Sequence, residues 1–264
     1  MLSYERISAG GPGIGDAILL SAVAREIYQQ RGVRPVVSSA YPELFAGNPY
    51  IGEAVPWDGA RSFPELDDMR VCGDEHMVVF MCRKLGLEPP GRVQLFARVE
   101  GNHAFSEFRY VTVQSTAGAW AGNTKRWPLE KWRKLVSDVR DLGVYVVQIG
   151  GLTDPDIGCL SLCMGKPLPE TLVMLADALC HVGPISGPMH LANAVGTRSV
   201  VIAGGREQRS VVGYPDDVWC ESQIVCSPCW KLDCDVAVHG IAPCLEEISV
   251  EEVVEKVAQV IRNH

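Results

Sequence analysis

Four apolar runs in the second half of the chain constrain its fold more than any other feature. They are Tyr110-Val-Thr-Val113, Val144–Ile149, His181-Val182 and Ser199-Val-Val-Ile-Ala203. Each is short and apolar on both faces, the pattern of strands buried in a parallel sheet rather than of strands with one face in water. Helical stretches fall between and after them: Leu129–Asp141 behind Pro128, Pro169–Leu179, Met189–Val195 closed by Gly196, and Val250–Arg262. Pro128 and Pro169 suit the first turn of a helix, and Ser249-Val-Glu-Glu252 is a capping box. Strands alternating with helices predict an α/β architecture with parallel sheets.

The first half repeats the alternation less regularly. A short strand is expected at Tyr4–Ser8, a helix at Ala17–Gln30 stopped by Gly32, a strand at Arg34–Ser38 and a short helix at Pro42–Ala46. Residues 63–66 and 69–85 read as weaker helical stretches, and Val93–Ala97 as a strand. The polar, aromatic-flanked stretch Glu100–Arg109 is the best linker. The expected plan is two Rossmann-like units, residues 1–108 and 109–264, with ligands bound beyond the carboxyl ends of the strands in the cleft between them.

The chain has 264 residues, 47% of them hydrophobic, and a net charge of −8. That is enough apolar content for a sizeable core, and too much for intrinsic disorder. The acidic balance lacks the electrostatic footprint of a nucleic-acid binder and does not favour attraction to an anionic membrane. No run of 18 apolar residues is present, so no transmembrane helix is expected. The start, Met1-Leu-Ser-Tyr-Glu-Arg6, does not read as a signal peptide, and the expected location is cytoplasmic.

Three segments carry chemistry. Gly10-Gly-Pro-Gly-Ile-Gly15-Asp16 lies between a strand and a helix. It lacks the spacing of a dinucleotide fingerprint and the Gly-Lys-Ser/Thr of a P-loop. An acidic residue at a helix start argues against phosphate there. Asp16 fits a general base pointing into a cleft, but taken alone it more readily reads as a cap for the helix N-terminus. Asn123-Thr-Lys125-Arg126-Trp-Pro128 sets two cations before a helix, against its dipole. That placement makes sense if an anion such as a diphosphate docks there; a solvated basic loop is the alternative. In Ile185-Ser186-Gly187-Pro-Met189-His190 a strand-to-helix turn offers free N–H groups at Ser186, Gly187 and Met189. Ser186 could instead simply cap the helix, and His190 could be a partly buried helical histidine.

Ten cysteines in a reducing compartment are not a disulfide framework. Cys72, Cys82, Cys159, Cys163 and Cys180 read as small buried hydrophobes. Cys226-x2-Cys229-x4-Cys234-x9-Cys244 opens with a chelate spacing, so these four thiols are a candidate structural site for zinc or iron. Cys220 and His239 are spare donors, and reduced thiols in a loop are the alternative.

Taken in order, Gly13-Ile-Gly15-Asp16, Pro42-Glu-Leu, Asn48-Pro49 through Val55, Lys125-Arg-Trp-Pro128 through Trp132, Leu168-Pro-Glu-Thr-Leu and Gly183 through Ala192 resemble glycosyltransferase family 9, the ADP-heptose:lipopolysaccharide heptosyltransferases. The tail from Cys226 to Cys244 resembles that of cysteine-bearing members. The resemblance implies a GT-B fold, two Rossmann-like domains facing a central cleft, the first on the acceptor side and the second on the donor side. It implies inverting transfer of heptose or a related sugar from a nucleotide-diphosphate donor to an acceptor hydroxyl, without a catalytic metal. By the same resemblance Asp16 is the base on an acceptor-side loop with Gly13 and Gly15. Ser115, Thr116, Lys125, Ser186, Gly187, Met189 and His190 are donor-binding. The acceptor is a glycan, a lipid-linked glycan or another hydroxyl compound. Ile185 stands where many members carry an aspartate that touches the donor sugar, which motivates a second reading: a catalytically degenerate binding or scaffold subunit. A third, sugar transfer to nucleic acid, is disfavoured by the charge.

Overall fold

The structure is a computed structural model that describes residues 5–9, 13–57, 73–118, 121–159 and 161–264. Its first sheet is parallel, with strands β1 (Arg6–Ser8), β2 (Val36–Ser39) and β3 (Glu53–Pro56) in that order. Helix α1 (Ile14–Arg31) joins β1 to β2, and a 3-10 turn, Pro42–Phe45, follows β2. Helix α2 spans Met77–Lys84. The expected helical stretches at 63–66 and 69–72 lie outside the described residues, as does Cys72.

The second sheet has six parallel strands: β4 (Tyr110–Val113), β5 (Tyr145–Gly150), β6 (Ser161–Met164), β7 (His181–Pro184), β8 (Ser199–Ala203) and β9 (Val218–Glu221). Their order across the sheet is β6-β5-β4-β7-β8-β9. The chain thus builds outward from β4 in one direction, returns, and builds outward from β7 in the other. The strand order reverses between β4 and β7, which opens a crevice at their carboxyl ends, where open α/β sheets take their ligands. The helices are α3 (Leu129–Arg140), α4 (Leu168–Ala176), α5 (Gly187–Ala194), α6 (Arg209–Val212), α7 (Pro243–Glu246) and α8 (Val250–Arg262). The capping box forms as expected: Ser249 Oγ accepts the Glu252 N–H at 3.1 Å.

The fold is α/β with two parallel sheets, and it departs from the sequence expectation at α1, at three strands, at Val93–Ala97 and in the unexpected short helices α6 and α7. Helix α1 begins at Ile14 rather than Ala17, which puts Asp16 within its first turn. Strands β3, β6 and β9 were not expected. Val93–Ala97 is extended but pairs with no strand among the described residues: the Phe96 N–H donates to Ser21 Oγ at 3.0 Å, and the Ala97 N–H to the Ala194 carbonyl at 3.2 Å. It is strapped to α1 and α5 instead.

Every residue of α1 from Ala17 to Ala24 is buried, so this helix has no water-facing side over two turns. It packs against α5 as well as against its own sheet. One apolar core consequently runs from Ile7, Leu20 and Val37 through Met189, Leu191 and Val201. The other face of the second sheet packs on α3 and α8 around Trp132, Leu135, Val253 and Val257. Among the described residues no helix is long and apolar enough to cross a membrane.

Candidate functional site

A cavity of about 230 Å³ lies at the β4/β7 reversal, lined from one side by Gly13, Gly15, Asp16 and Tyr41 and from the other by Gln114, Lys125, Ile185–His190 and Glu207, with Met189 excepted. Its floor is made by two helix starts in contact. A Cβ at Gly187 would lie 3.0 Å from the Ile14 Cβ, and one at Gly15 would lie 2.8 Å from Cδ2 of His190. Glycine at both positions lets α1 and α5 bring their N-terminal turns together.

The two helix starts differ electrostatically. The first turn of α1 contains Asp16, whose carboxylate lies back over Gly13; a Cβ at Gly13 would come within 2.3 Å of Oδ2. The positive end of α1 thus already faces a resident anion. Helix α5 has no acidic residue in its first turn and no side-chain cap. Ser186, its N-cap residue, instead donates its hydroxyl proton to Gln114 Oε1 at 2.5 Å, across the strand reversal. The sequence alternative of a capping Ser186 is therefore not what the structure shows. The α5 N-terminus is the end open to an incoming anion.

Lys125 closes the 3-10 turn Asn123–Lys125 and is buried rather than solvated. Its Nζ lies 2.6 Å from Glu207 Oε1 and donates to the Ile185 carbonyl at 3.1 Å. An ammonium has three donors, so one is left for a ligand at the head of α5. Arg126, its neighbour, is exposed and does not line the cavity.

His190 shares a hydrogen bond between Nδ1 and the Tyr214 hydroxyl, 2.6 Å apart. Burial, with smaller contributions from His76 and Lys125, lowers its pKa to about 3, so the imidazole is neutral near pH 7. Tyr214 is buried, and burial raises its pKa well above the ordinary tyrosine value. The cavity thus meets a neutral imidazole held by a phenol.

Asp16, Gly13, Gly15, Lys125, Ser186, Gly187 and His190 are brought to one cavity. Met189, with 0% exposure, is part of the core beneath it. Ser115 and Thr116 follow β4 but do not line the cavity; the Ser115 hydroxyl is buried without a hydrogen-bond partner among the described residues. Sequence reasoning missed Glu207, Gln114 and Tyr214. Glu207 follows the Gly204-Gly205 turn at the end of β8, so its position at a strand's carboxyl end was the available signal.

The C-terminal cysteines are only partly gathered. A Cβ at Gly205 would lie 3.2 Å from Cys229 Sγ and 3.7 Å from Cys244 Sγ, and the Gly205 N–H donates to Cys244 Sγ at 3.3 Å. Burial raises the Cys244 pKa, with Cys229 and Cys234 adding to the shift. Cys226 is exposed. Among the described residues no three His, Cys, Asp or Glu side chains converge as a metal-holding group.

Comparison with known proteins gives one family. The model of glycosyltransferase family 9 (heptosyltransferase) matches residues 92–237. No curated protein matches. Among solved structures, E. coli ADP-heptose lps heptosyltransferase II superposes with a TM-score of 0.69 at 13% identity, covering 98% of this chain and 99% of that one. A family 9 glycosyl transferase from Veillonella parvula DSM 2008 gives 0.71 at 15% identity, covering 100% and 99%. TibC, from enterotoxigenic E. coli H10407 and described as a dodecameric iron-containing heptosyltransferase in complex with ADP-D-β-D-heptose, gives 0.73 at 18% identity, covering 99% of this chain and 78% of that one. At these identities the superpositions speak for the GT-B fold.

Proposed function

The chain belongs to glycosyltransferase family 9, and on that premise we propose that it moves heptose or a related sugar from a nucleotide-diphosphate donor to an acceptor hydroxyl with inversion at the anomeric carbon. One observation carries this reading: a carboxylate, Asp16, and a cation, Lys125, line the same cavity as the open N-terminus of α5. Inverting transfer asks for that separation of charge. As the acceptor oxygen bonds to the anomeric carbon, the Asp16 carboxylate takes its proton. The bond from that carbon to the diphosphate oxygen breaks, and its electron pair leaves with the diphosphate. The α5 N–H groups and the third Lys125 donor stabilise the departing charge. Two solved relatives named for ADP-heptose support this donor class.

In this reading residues 1–108 present the acceptor and residues 109–264 hold the donor, with Ser115, Thr116, Ser186, Gly187, Met189 and His190 at or beneath the donor. The acceptor is a glycan, a lipid-linked glycan or another hydroxyl compound, and the protein works in the cytoplasm. No step needs a metal. A metal, if bound, is structural: Cys226, Cys229, Cys234 and Cys244 would hold zinc or iron, supported by the approach of Cys229 and Cys244 at Gly205 and by the iron-containing relative. Its binding would order the loop 226–244. Elemental analysis of anaerobically purified protein tests the site: one metal per chain would support it, and the absence of stoichiometric metal would refute it.

The test of the function is calorimetric titration with ADP, GDP and UDP against wild type and Lys125→Ala. Binding by wild type, weakened about tenfold or more in the variant, is expected for a charge-assisted contact. Equal affinity would remove Lys125 from the donor site, and a wild type that binds none of the three would favour the scaffold reading.

A further inference from the structure

Glu207 has two carboxylate oxygens in different circumstances. Oε1 faces Lys125 Nζ at 2.6 Å. Oε2 is buried with no hydrogen-bond partner among the described residues, and the residue as a whole is 4% exposed. A buried carboxylate oxygen left without a donor is expensive, and native proteins keep such a group where something else completes it. Glu207 also lines the cavity that holds Asp16 and Lys125.

The chemistry of the missing partner is narrow. It cannot be phosphate, because a carboxylate repels that anion. A further cation is not needed, because Lys125 at 2.6 Å and Arg206 at 3.9 Å from Oε1 already balance the charge. What remains is a neutral hydrogen-bond donor. The cavity that Glu207 lines lies between the anion seat at α5 and the Asp16 carboxylate, and a sugar in transit from diphosphate to acceptor must occupy that interval.

We infer that Glu207 is a specificity-determining residue that accepts a hydroxyl of the transferred sugar on Oε2 while Oε1 holds Lys125. The inference rests on the donor-site reading above. It gives the site two poles: an ammonium with helix N–H groups for the diphosphate, and a carboxylate for the sugar attached to it.

The experiment compares ADP with ADP-D-β-D-heptose as titrants of wild type and Glu207→Gln. A glutamine can keep its carbonyl toward Lys125, but it then puts an NH2 donor where Oε2 accepted. Wild type is expected to bind the sugar nucleotide more tightly than ADP. In Glu207→Gln that preference is expected to shrink about tenfold, the worth of one charge-assisted hydrogen bond, while ADP affinity holds or rises. Glu207→Asp, which keeps the charge near Lys125 but withdraws the carboxylate by one methylene, is expected to lose the preference likewise. An unchanged preference in either variant, with both ligands weakened by the same factor, would mean that Glu207 only braces Lys125 or meets the ribose, and would overturn the inference alone. Equal affinity of wild type for the two ligands would also overturn it. Failure of wild type to bind either, together with failure to bind GDP and UDP, would overturn the donor reading and this inference together.

Discussion

Replacing Lys125 by methionine would leave the buried Glu207 carboxylate with Arg206, whose Nε lies 3.9 Å from Oε1, as its remaining cation. The side chains of the pair are 8% and 3% exposed, so water cannot take over the lost contact. Breaking one partner out of a buried ion pair costs about 3–5 kcal/mol. Arg206 keeps part of the balance from 3.9 Å, which sets the expectation at the lower end. A loss of about 3 kcal/mol is therefore expected, or roughly 10 °C in Tm for a chain of this size. In Lys125→Met/Glu207→Leu both members of the pair are removed together, and most of the loss is expected to return. Urea denaturation of wild type, single and double variants gives the answer. Equal destabilisation of single and double variants would refute the reasoning.

Asp16→Asn keeps the side-chain shape at the start of α1 and removes its basicity; turnover is expected to fall by roughly 10²-fold or more with donor affinity and Tm little changed, and wild-type turnover would end the general-base assignment. Gly187→Ala adds a methyl 3.0 Å from the Ile14 Cβ; a loss of about 1–3 kcal/mol from overpacking is expected by denaturation, with weakened donor binding as the α5 N-terminus is pushed off α1. Stability should fall on acidification below pH 6.5. Burial lowers His76 to about 4 and His181 and His190 to about 3, so the unfolded chain takes up three protons that the folded one refuses. Asp217, raised to about 7 by burial, acts in the opposite sense and offsets one of them. The net slope between pH 6 and 5 is on the order of 2–3 kcal/mol per pH unit, and a flat urea midpoint over that range would contradict it.

The second sheet was legible because its central strands are apolar on both faces and its helices carry caps. Strands β3, β6 and β9 were not, for a physical reason: each lies at a sheet edge, where little burial is required. Glu53-Ala-Val-Pro56 is at least partly exposed throughout and ends on proline, and Val218-Trp-Cys-Glu221 ends on an exposed glutamate. Val93–Ala97 has a strand's composition, but tertiary partners on α1 and α5 take its N–H groups, which periodicity cannot foresee. The site shows the same division. Glycine turns and the Asp16 position could be read locally. The Lys125–Glu207 pair could not, because it joins loops from two different strands and exists only once the sheet has assembled.

The stretch of α1 from Ala17 to Ala24, buried on every side, has a consequence for the order in which the protein is made. It leaves the ribosome early, yet α5 (residues 187–194), which covers one of its faces, is still unmade. At about 5–20 residues per second, roughly 160 residues of synthesis separate the two helices, a delay of about 8–30 s. Throughout that interval Ile18, Leu19, Leu20 and Val23 cannot all be covered by the chain synthesised so far. The nascent protein is therefore a client for whatever shields apolar helices at the exit tunnel. A release that strands the chain before residue 187 would yield an aggregating fragment rather than a folded first half.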